Sequence, residues 1–346
     1  RVYDIMDVCR LVSDPLDPQV EKRSLMRSFR SSKNENGDVD IIVQYRNEEH
    51  HGTLSQLIGE IITYLHRLVS MELKVPLNGY CILFPGDFGA HQFDLFHRAA
   101  EDAHFYQVRL VDERIASIIP YLYYGGVNRQ DATVLLLDYG ASSLSLSFIS
   151  IWKGHVRIRD SKILSTLSGR HIDTMIKKYI SRKYRRLCGI SITADVKDTD
   201  LLMIECENAK IALSTGISYE LQIQSLGAQR NIILTRRELD ALLLLPLWLL
   251  ERELTEALHR LNWRSEFIDS VIAIGGNAKI PAVKQLLLRL FPFSEHDYAS
   301  SISHPASLGG NLISEYSELP SPLSTWCYRV RVNDRHFLVV GRSLQC

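Results

Sequence analysis

Residues 133–147 read TVLLLDYGASSLSLS. A short run of Val and Leu ends at Asp138. Tyr139, Gly140, Ala141, Ser142 and Ser143 break it, and Leu144 to Ser147 resumes with strict alternation. An apolar run bounded by a turn and followed by a period-two segment predicts two strands of a hairpin. The first strand reads as buried on both faces and the second on one. An Asp at a strand end followed by small residues can turn backbone amides toward an anion while its carboxylate holds a hydrated metal. An ordinary hairpin whose Asp caps the turn is the simpler account of this stretch taken alone.

The rest of the chain supplies the context. With 346 residues, two lobes are expected. Forty basic and forty acidic side chains balance, so no global charge draws the chain to DNA or to an acidic membrane. The longest apolar run, 241–250, is interrupted by Pro246 and is too short to cross a bilayer. It reads as a core helix. No secretory signal opens the chain, and a start without Met suggests missing upstream sequence. Six scattered cysteines without a CxxC pair read as reduced thiols of a cytoplasmic protein. Adjacent His50 and His51 lack a metal-binding helical spacing, and no GxSxG elbow anchors a hydrolase triad. The basic cluster from Lys177 to Arg186 reads as a solvated helix face; its interleaved tyrosines leave ribosomal RNA contact as the alternative.

Local signals predict strands at 39–45, 80–84, 107–111, 155–159, 219–223, 232–234 and 270–274. Helices are predicted at 92–103, 114–124, 170–184, 200–213, 282–291 and 308–316. Thr53 is placed as the N-cap of a further helix. Thr235-Arg236-Arg237-Glu238 has the form of a capping box, and Pro246 is expected to divide the helix that follows. Strands and helices alternate through short links, which predicts an α/β fold with a parallel or mixed sheet. Two alternating stretches near the end, 328–332 and 336–340, are too little for a sheet domain of their own.

Seven segments, in order, resemble the nucleotide-binding domain of the 70-kilodalton heat-shock chaperone family. They are Tyr3 to Val20, Phe84-Pro85-Gly86-Asp87-Phe88, Val108 to Tyr121, Leu137 to Ser143, Leu167-Ser168-Gly169, Cys206-Glu207-Asn208-Ala209-Lys210, and Ile274 to Pro281. The resemblance covers nearly all of residues 1–318. It implies an actin-like ATPase fold of two ribonuclease-H-like lobes clamping ATP or ADP with magnesium. The expected division is lobe I over 1–127 with its first phosphate hairpin missing. Lobe II follows over 128–318, with 168–243 as an inserted subdomain, and 319–346 is a tail or the start of a truncated substrate-binding region.

Carried over residue by residue, Asp138 matches the carboxylate that holds magnesium through water. Gly140 and Ser143 match the phosphate turn. Glu207, Lys210 and Ser214 match adenosine-side polar groups, while Gly275, Gly276, Asn277 and Lys279 match the second nucleotide loop. Pro85 and Glu113 match positions that relay the nucleotide state to a neighbouring domain. The chain departs from the family at Ser145, where a second acid is expected, at Ile211 and Lys279, where arginines are expected, and at Ser303 and Phe93. The family's first phosphate hairpin and the lysine that assists hydrolysis would both precede residue 1; phosphoryl transfer depends on positioned charge, so no meaningful hydrolysis is expected of the chain as given. The departures resemble those of atypical, ribosome-associated members, whose partners are unfolded polypeptides, a J-domain co-chaperone and the ribosome. A nucleotide-free interaction scaffold, and a sugar-kinase or actin relative, are the other readings.

Overall fold

The computed structural model describes residues 29–33, 39–45, 48–74, 80–86, 88, 90–105, 108–124, 127, 131–153, 155–189, 192, 196–223, 231–298, 304–318, 327–332 and 335–340. The segment 3–20, Ser303 and the linker region 319–326 lie outside them. The chain divides into two compact units, 1–126 with 304–346, and 127–303.

In the first unit, strands β1 (Phe29–Lys33), β2 (Val39–Tyr45) and β3 (Glu48–Thr53) form an antiparallel sheet in that order. Helix α1 (Leu54–Leu73) follows without a gap. Its N-cap is Thr53, and Gln56 completes a capping box that satisfies two otherwise orphaned amides. Strand β4 (Tyr80–Phe84), helix α2 (Ala90–Asp102), strand β5 (Val108–Asp112) and helix α3 (Glu113–Tyr124) make a parallel strand pair with a crossover. Val39, Ile41, Leu54, Ile58, Phe84, Phe88, Leu95 and Ala99 form one core.

The second unit is built on the opening stretch. Strands β6 (Asp131–Tyr139), β7 (Leu144–Trp152) and β8 (His155–Leu164) form an antiparallel meander. Helices α4 (Gly169–Cys188) and α5 (Val196–Ala212), strands β9 (Ser218–Leu221) and β10 (Ile232–Thr235), and helix α6 (Arg236–Leu261) come next. Strand β11 (Ser270–Ile274) then pairs parallel to β6. Helix α7 (Pro281–Leu290) leads to β12 (Glu295–Asp297), which is parallel to β11. The order β12-β11-β6-β7-β8 is that of the ribonuclease-H-like core expected for this lobe. Helix α8 (Pro305–Tyr316) and the antiparallel strands β13 (Ser317–Glu318), β14 (Cys327–Val332) and β15 (Arg335–Val340) belong to the first unit.

Two local expectations change. Strand β7 is buried on both faces from Leu144 to Ile149, with Ser145 5% and Ser147 1% exposed. Alternation of Leu with Ser reads as half-polar, but a hydroxyl is small enough to bury for about 1–3 kcal/mol, and a central strand covered on both sides demands it. Helix α6 also runs unbroken through Pro246. The ring removes one amide, yet its fixed φ is helical. A buried stripe of Leu239, Leu243, Pro246, Leu250, Leu254 and Ala257 holds the helix to the core on both sides of it.

The start of α6 is reinforced from α4. Burial works against ionisation of the Glu238 carboxyl, but hydrogen bonds from Lys183, Tyr179 and Thr235 outweigh it and bring its pKa down to about 2. Cys81, Cys188 and Cys206 are free thiols. Among the described residues no helix is long and apolar enough to cross a membrane.

Candidate functional site

Asp138 is set at the end of β6 by two registers. It lies opposite Ile274 of β11 on one side and Ser145 of β7 on the other. The strand end therefore delivers the carboxylate to the turn that follows β11. At that turn Gly275 has φ +84°. A Cβ there would sit 2.5 Å from Tyr139 O and 2.8 Å from Asp138 Oδ1. Only glycine allows this approach, because its missing side chain and its left-handed backbone are both required. Gly276 beside it is exposed, and nothing lies within 4 Å of where its Cβ would be.

Burial pushes the Asp138 carboxyl up to about 6. Among the described residues no hydrogen bond or ion pair is recorded for this side chain. A desolvated carboxylate without a countercharge, facing a glycine pair, is chemically suited to a cation. On that ground the residues present fit a hydrated magnesium accompanying a nucleotide. Asp138 would hold the ion through water, and the ion would supply positive charge beside the phosphates.

The loop after Asp138 is anchored to the start of α4. Gly140 N–H donates to Ser143 O at 3.0 Å, closing the turn. Gly169 N–H donates to Gly140 O at 3.0 Å, and Arg170 N–H donates to Ala141 O at 2.9 Å. Ser168 Oγ accepts from His171 N–H at 3.2 Å as the N-cap. The first three amides of α4 are thus spent on loop carbonyls and the cap. Loop and helix dipole act as one unit.

Asn277 fastens the second loop to the first. Its carboxamide donates to Tyr139 O at 3.2 Å and to Gly140 O at 2.9 Å. The side chain is 5% exposed, and a Cβ on Gly169 would come within 2.3 Å of its Nδ2. Sequence analysis placed Asn277 at the nucleotide; the structure places its amide between two backbone carbonyls.

Lys210 is 7% exposed, and its ammonium lies 2.8 Å from Asp173 Oδ1. It also donates to Gly169 O at 3.3 Å. Burial pushes the Asp173 carboxyl up, Lys210 opposes this, and half-buried Glu207 adds to the rise. Ser214 Oγ donates to Lys210 O at 3.0 Å. Ile211 is 61% exposed and Lys279 is exposed. A continuous series of contacts therefore runs from Asp138 through Gly275 and Tyr139 to Asn277, then Gly169, Lys210 and Asp173. Asp173 was missed in the sequence. An acid on an amphipathic helix carries no local mark that it will be buried against a lysine 37 residues later.

In the first unit, Pro85 and Glu113 follow the adjacent ends of parallel β4 and β5, whose last residues Phe84 and Asp112 are register partners. The Arg114 guanidinium covers Gly86, where a Cβ would lie 2.1 Å from its Cζ, and it bonds Asp112, with Nε to Oδ1 at 2.9 Å. The two expected relay residues are thus neighbours in the fold. Phe93 packs edge-on against Phe84, with ring centroids 4.1 Å apart.

Comparison with known proteins follows the same line. The chain matches the family model described as Hsp70 protein over residues 4–299. Heat shock 70 kDa protein 16 of Arabidopsis thaliana is 24% identical over 283 residues, which covers 80% of this chain and 37% of that protein. A heat shock protein of Pyricularia oryzae is 21% identical over 289 residues, covering 83% and 47%. Heat shock 70 kDa protein 14 of Mus musculus is 29% identical over 225 residues, covering 62% and 43%. The chain spans less than half the length of each of these relatives.

Proposed function

The chain belongs to the Hsp70 protein family, and from that premise we propose that its second unit binds ATP or ADP with magnesium and serves a chaperone assisting protein folding. Its fold is the actin-like ATPase fold of that family. The reading gives Asp138 the magnesium, through water. Gly140 and Ser143 face the phosphates, Gly275 and Gly276 let the backbone approach the nucleotide, Glu207 and Ser214 face the adenosine side, and Pro85 and Glu113 relay the bound state. The partners proposed are unfolded polypeptides and a J-domain co-chaperone, in a cytoplasmic setting and with a ribosome-associated subclass in view. One observation carries the reading most directly: an unpartnered, desolvated carboxylate at Asp138 held against a glycine whose Cβ would collide with it.

Hydrolysis is proposed to be lost. Ser145 stands opposite Asp138 in the sheet register, where the family resemblance calls for a second acid. Turnover of radiolabelled ATP is therefore expected to stay at the level of a buffer blank; a rate well above it defeats this part of the proposal.

Binding is tested by Asp138→Asn. The Asp138 carboxyl is raised from 3.8 to about 6, so between these values the folded form holds a proton that the unfolded form has released. Stability then falls as pH rises through that window, and the cost is complete above it. The raw shift corresponds to about 3 kcal/mol; partial exposure of the side chain brings the expected gain for Asn to about 1–2 kcal/mol at pH 7.5 without magnesium. Affinity for magnesium-ATP is expected to fall at least about tenfold, because the charge that holds the ion is gone. Melting curves with and without magnesium-ATP, together with calorimetry, measure both. Unchanged affinity in a folded variant rejects Asp138 as the magnesium-side acid.

A second reading, a nucleotide-free scaffold, is favoured by Lys210, whose ammonium is committed to Asp173 and Gly169 O. Calorimetry on the unsubstituted chain decides between them: saturable heat supports the first reading, and none at millimolar nucleotide supports the second.

A further inference from the structure

Helix α6 carries an apolar stripe on its solvent side. Leu244, Leu245 and Trp248 are 69%, 61% and 54% exposed. They follow exposed Arg237 and Ala241 at helical spacing and precede exposed Arg252 and Glu256. A solvent face of a soluble helix is ordinarily polar along its whole length. Here its middle is leucine and tryptophan, and charge is confined to the two ends. The Arg252 guanidinium lies 5.3 Å from the Trp248 ring centroid, extending the platform.

The order of residues on this stripe is self-complementary. With two copies of α6 antiparallel and a two-fold axis passing between Pro246 and Leu247, Arg237 falls opposite Glu256 of the second copy. Ala241 falls opposite Arg252, leaving room for the larger side chain, and Leu245 falls opposite Trp248. Each pairing occurs twice by symmetry, as an isologous contact requires. Reversing one helix so that the two run parallel would set Arg237 beside Arg237 and Glu256 beside Glu256. We infer that α6 is a docking surface for a second copy of this chain, paired antiparallel through Leu244, Leu245 and Trp248, with the Arg237–Glu256 pairs fixing the register. Among the described residues Glu256 is engaged only by an exposed pair with Arg252 of its own helix at 3.5 Å, a contact worth little and readily exchanged. One helix face is small beside the ~800 Å² per partner of a standard interface, so the expected dissociation constant is on the order of 10–100 µM.

Sedimentation and light scattering on the 346-residue chain test this across about 5–200 µM, the range set by that constant. The mass is expected to rise from 39.5 kDa toward twice that value. Leu245→Glu with Trp248→Glu should remain monomeric throughout, and the loss of folding is not a concern, since both side chains are more than half exposed; circular dichroism verifies it. Arg237→Glu should weaken association about tenfold, and adding Glu256→Arg should restore most of it. A wild-type chain that stays monomeric at the highest concentration overturns the inference. So does a double glutamate variant that associates like wild type, which would place the contact elsewhere. Failure of the charge swap to rescue would overturn the antiparallel register.

Discussion

Replacing Lys210 with methionine is expected to destabilise the second unit by about 3–5 kcal/mol at neutral pH, the usual cost of leaving one member of a buried pair behind. Lys210 and Asp173 are 7% and 6% exposed, so water cannot take over either charge. Without the ammonium, burial and the Glu207 charge would push the Asp173 carboxyl further up, with only the weaker pull of Arg170 against them. The loss should therefore be largest above that raised value and shrink as acid supplies the proton. Lys210 also donates to Gly169 O, at the first residue of α4, so the fault would spread to the loop that Gly169 N–H holds. Urea denaturation measures the loss. A companion variant carrying Lys210→Met and Asp173→Leu should recover most of it, since a well-packed apolar pair removes the stranded charge. A loss below about 1 kcal/mol would mean that the pair is solvated and that the series of contacts from Asp138 to Asp173 is not held as described.

Gly309→Ala is expected to be as damaging in the first unit. A Cβ at Gly309 would lie 1.7 Å from Ala116 O and 2.6 Å from its carbonyl carbon. That neighbour is helix backbone, which cannot rotate away as a side chain can. Helices α3 and α8 would have to separate, and the overpacking should cost at least about 3 kcal/mol. The disturbance is not confined to the crossing. Gly310 lies against Leu83 and Cys81 of β4, and α3 begins with Glu113 beside Pro85. Thermal melting should show the loss, and limited proteolysis should show whether it is confined to 1–126 and 304–346. A variant as stable as wild type would refute the close crossing.

Much of the fold was legible because its signals are local. Thr53 as an N-cap and Thr235 with Glu238 three residues on mark helix starts; both caps form, and Gln56 completes a second box that the sequence reading does not include. Pro281 opens α7, where a missing amide costs nothing. The hairpin around Asp138 follows from alternation and a turn. Where the reading failed, tertiary context decided. Serines at 145 and 147 look half-exposed until a sheet is covered on both faces. Pro246 looks like a break until the buried stripe on either side of it is seen. The site was legible only in part, for the same reason. Asp138 stands out as an acid at a strand end and the family resemblance supplies the glycine pair 275–276, but the partners of Asn277 lie 138 and 137 residues away. That an amide would bridge carbonyls there, or that a lysine would be withdrawn to a carboxylate, is a matter of distance in space that no sequence spacing encodes.

The bonding of α4 to the loop after Asp138 has a mechanical consequence. Gly169 and Arg170 tie Gly140 and Ala141 to the first turn of α4. Ile172, Ile176, Ile180 and Tyr184 bury that helix along its length, and Tyr179 and Lys183 bond its far half to Glu238 at the start of α6. A shift of the loop beside Asp138 would therefore be passed along α4 to α6, two elements away, instead of ending at the turn.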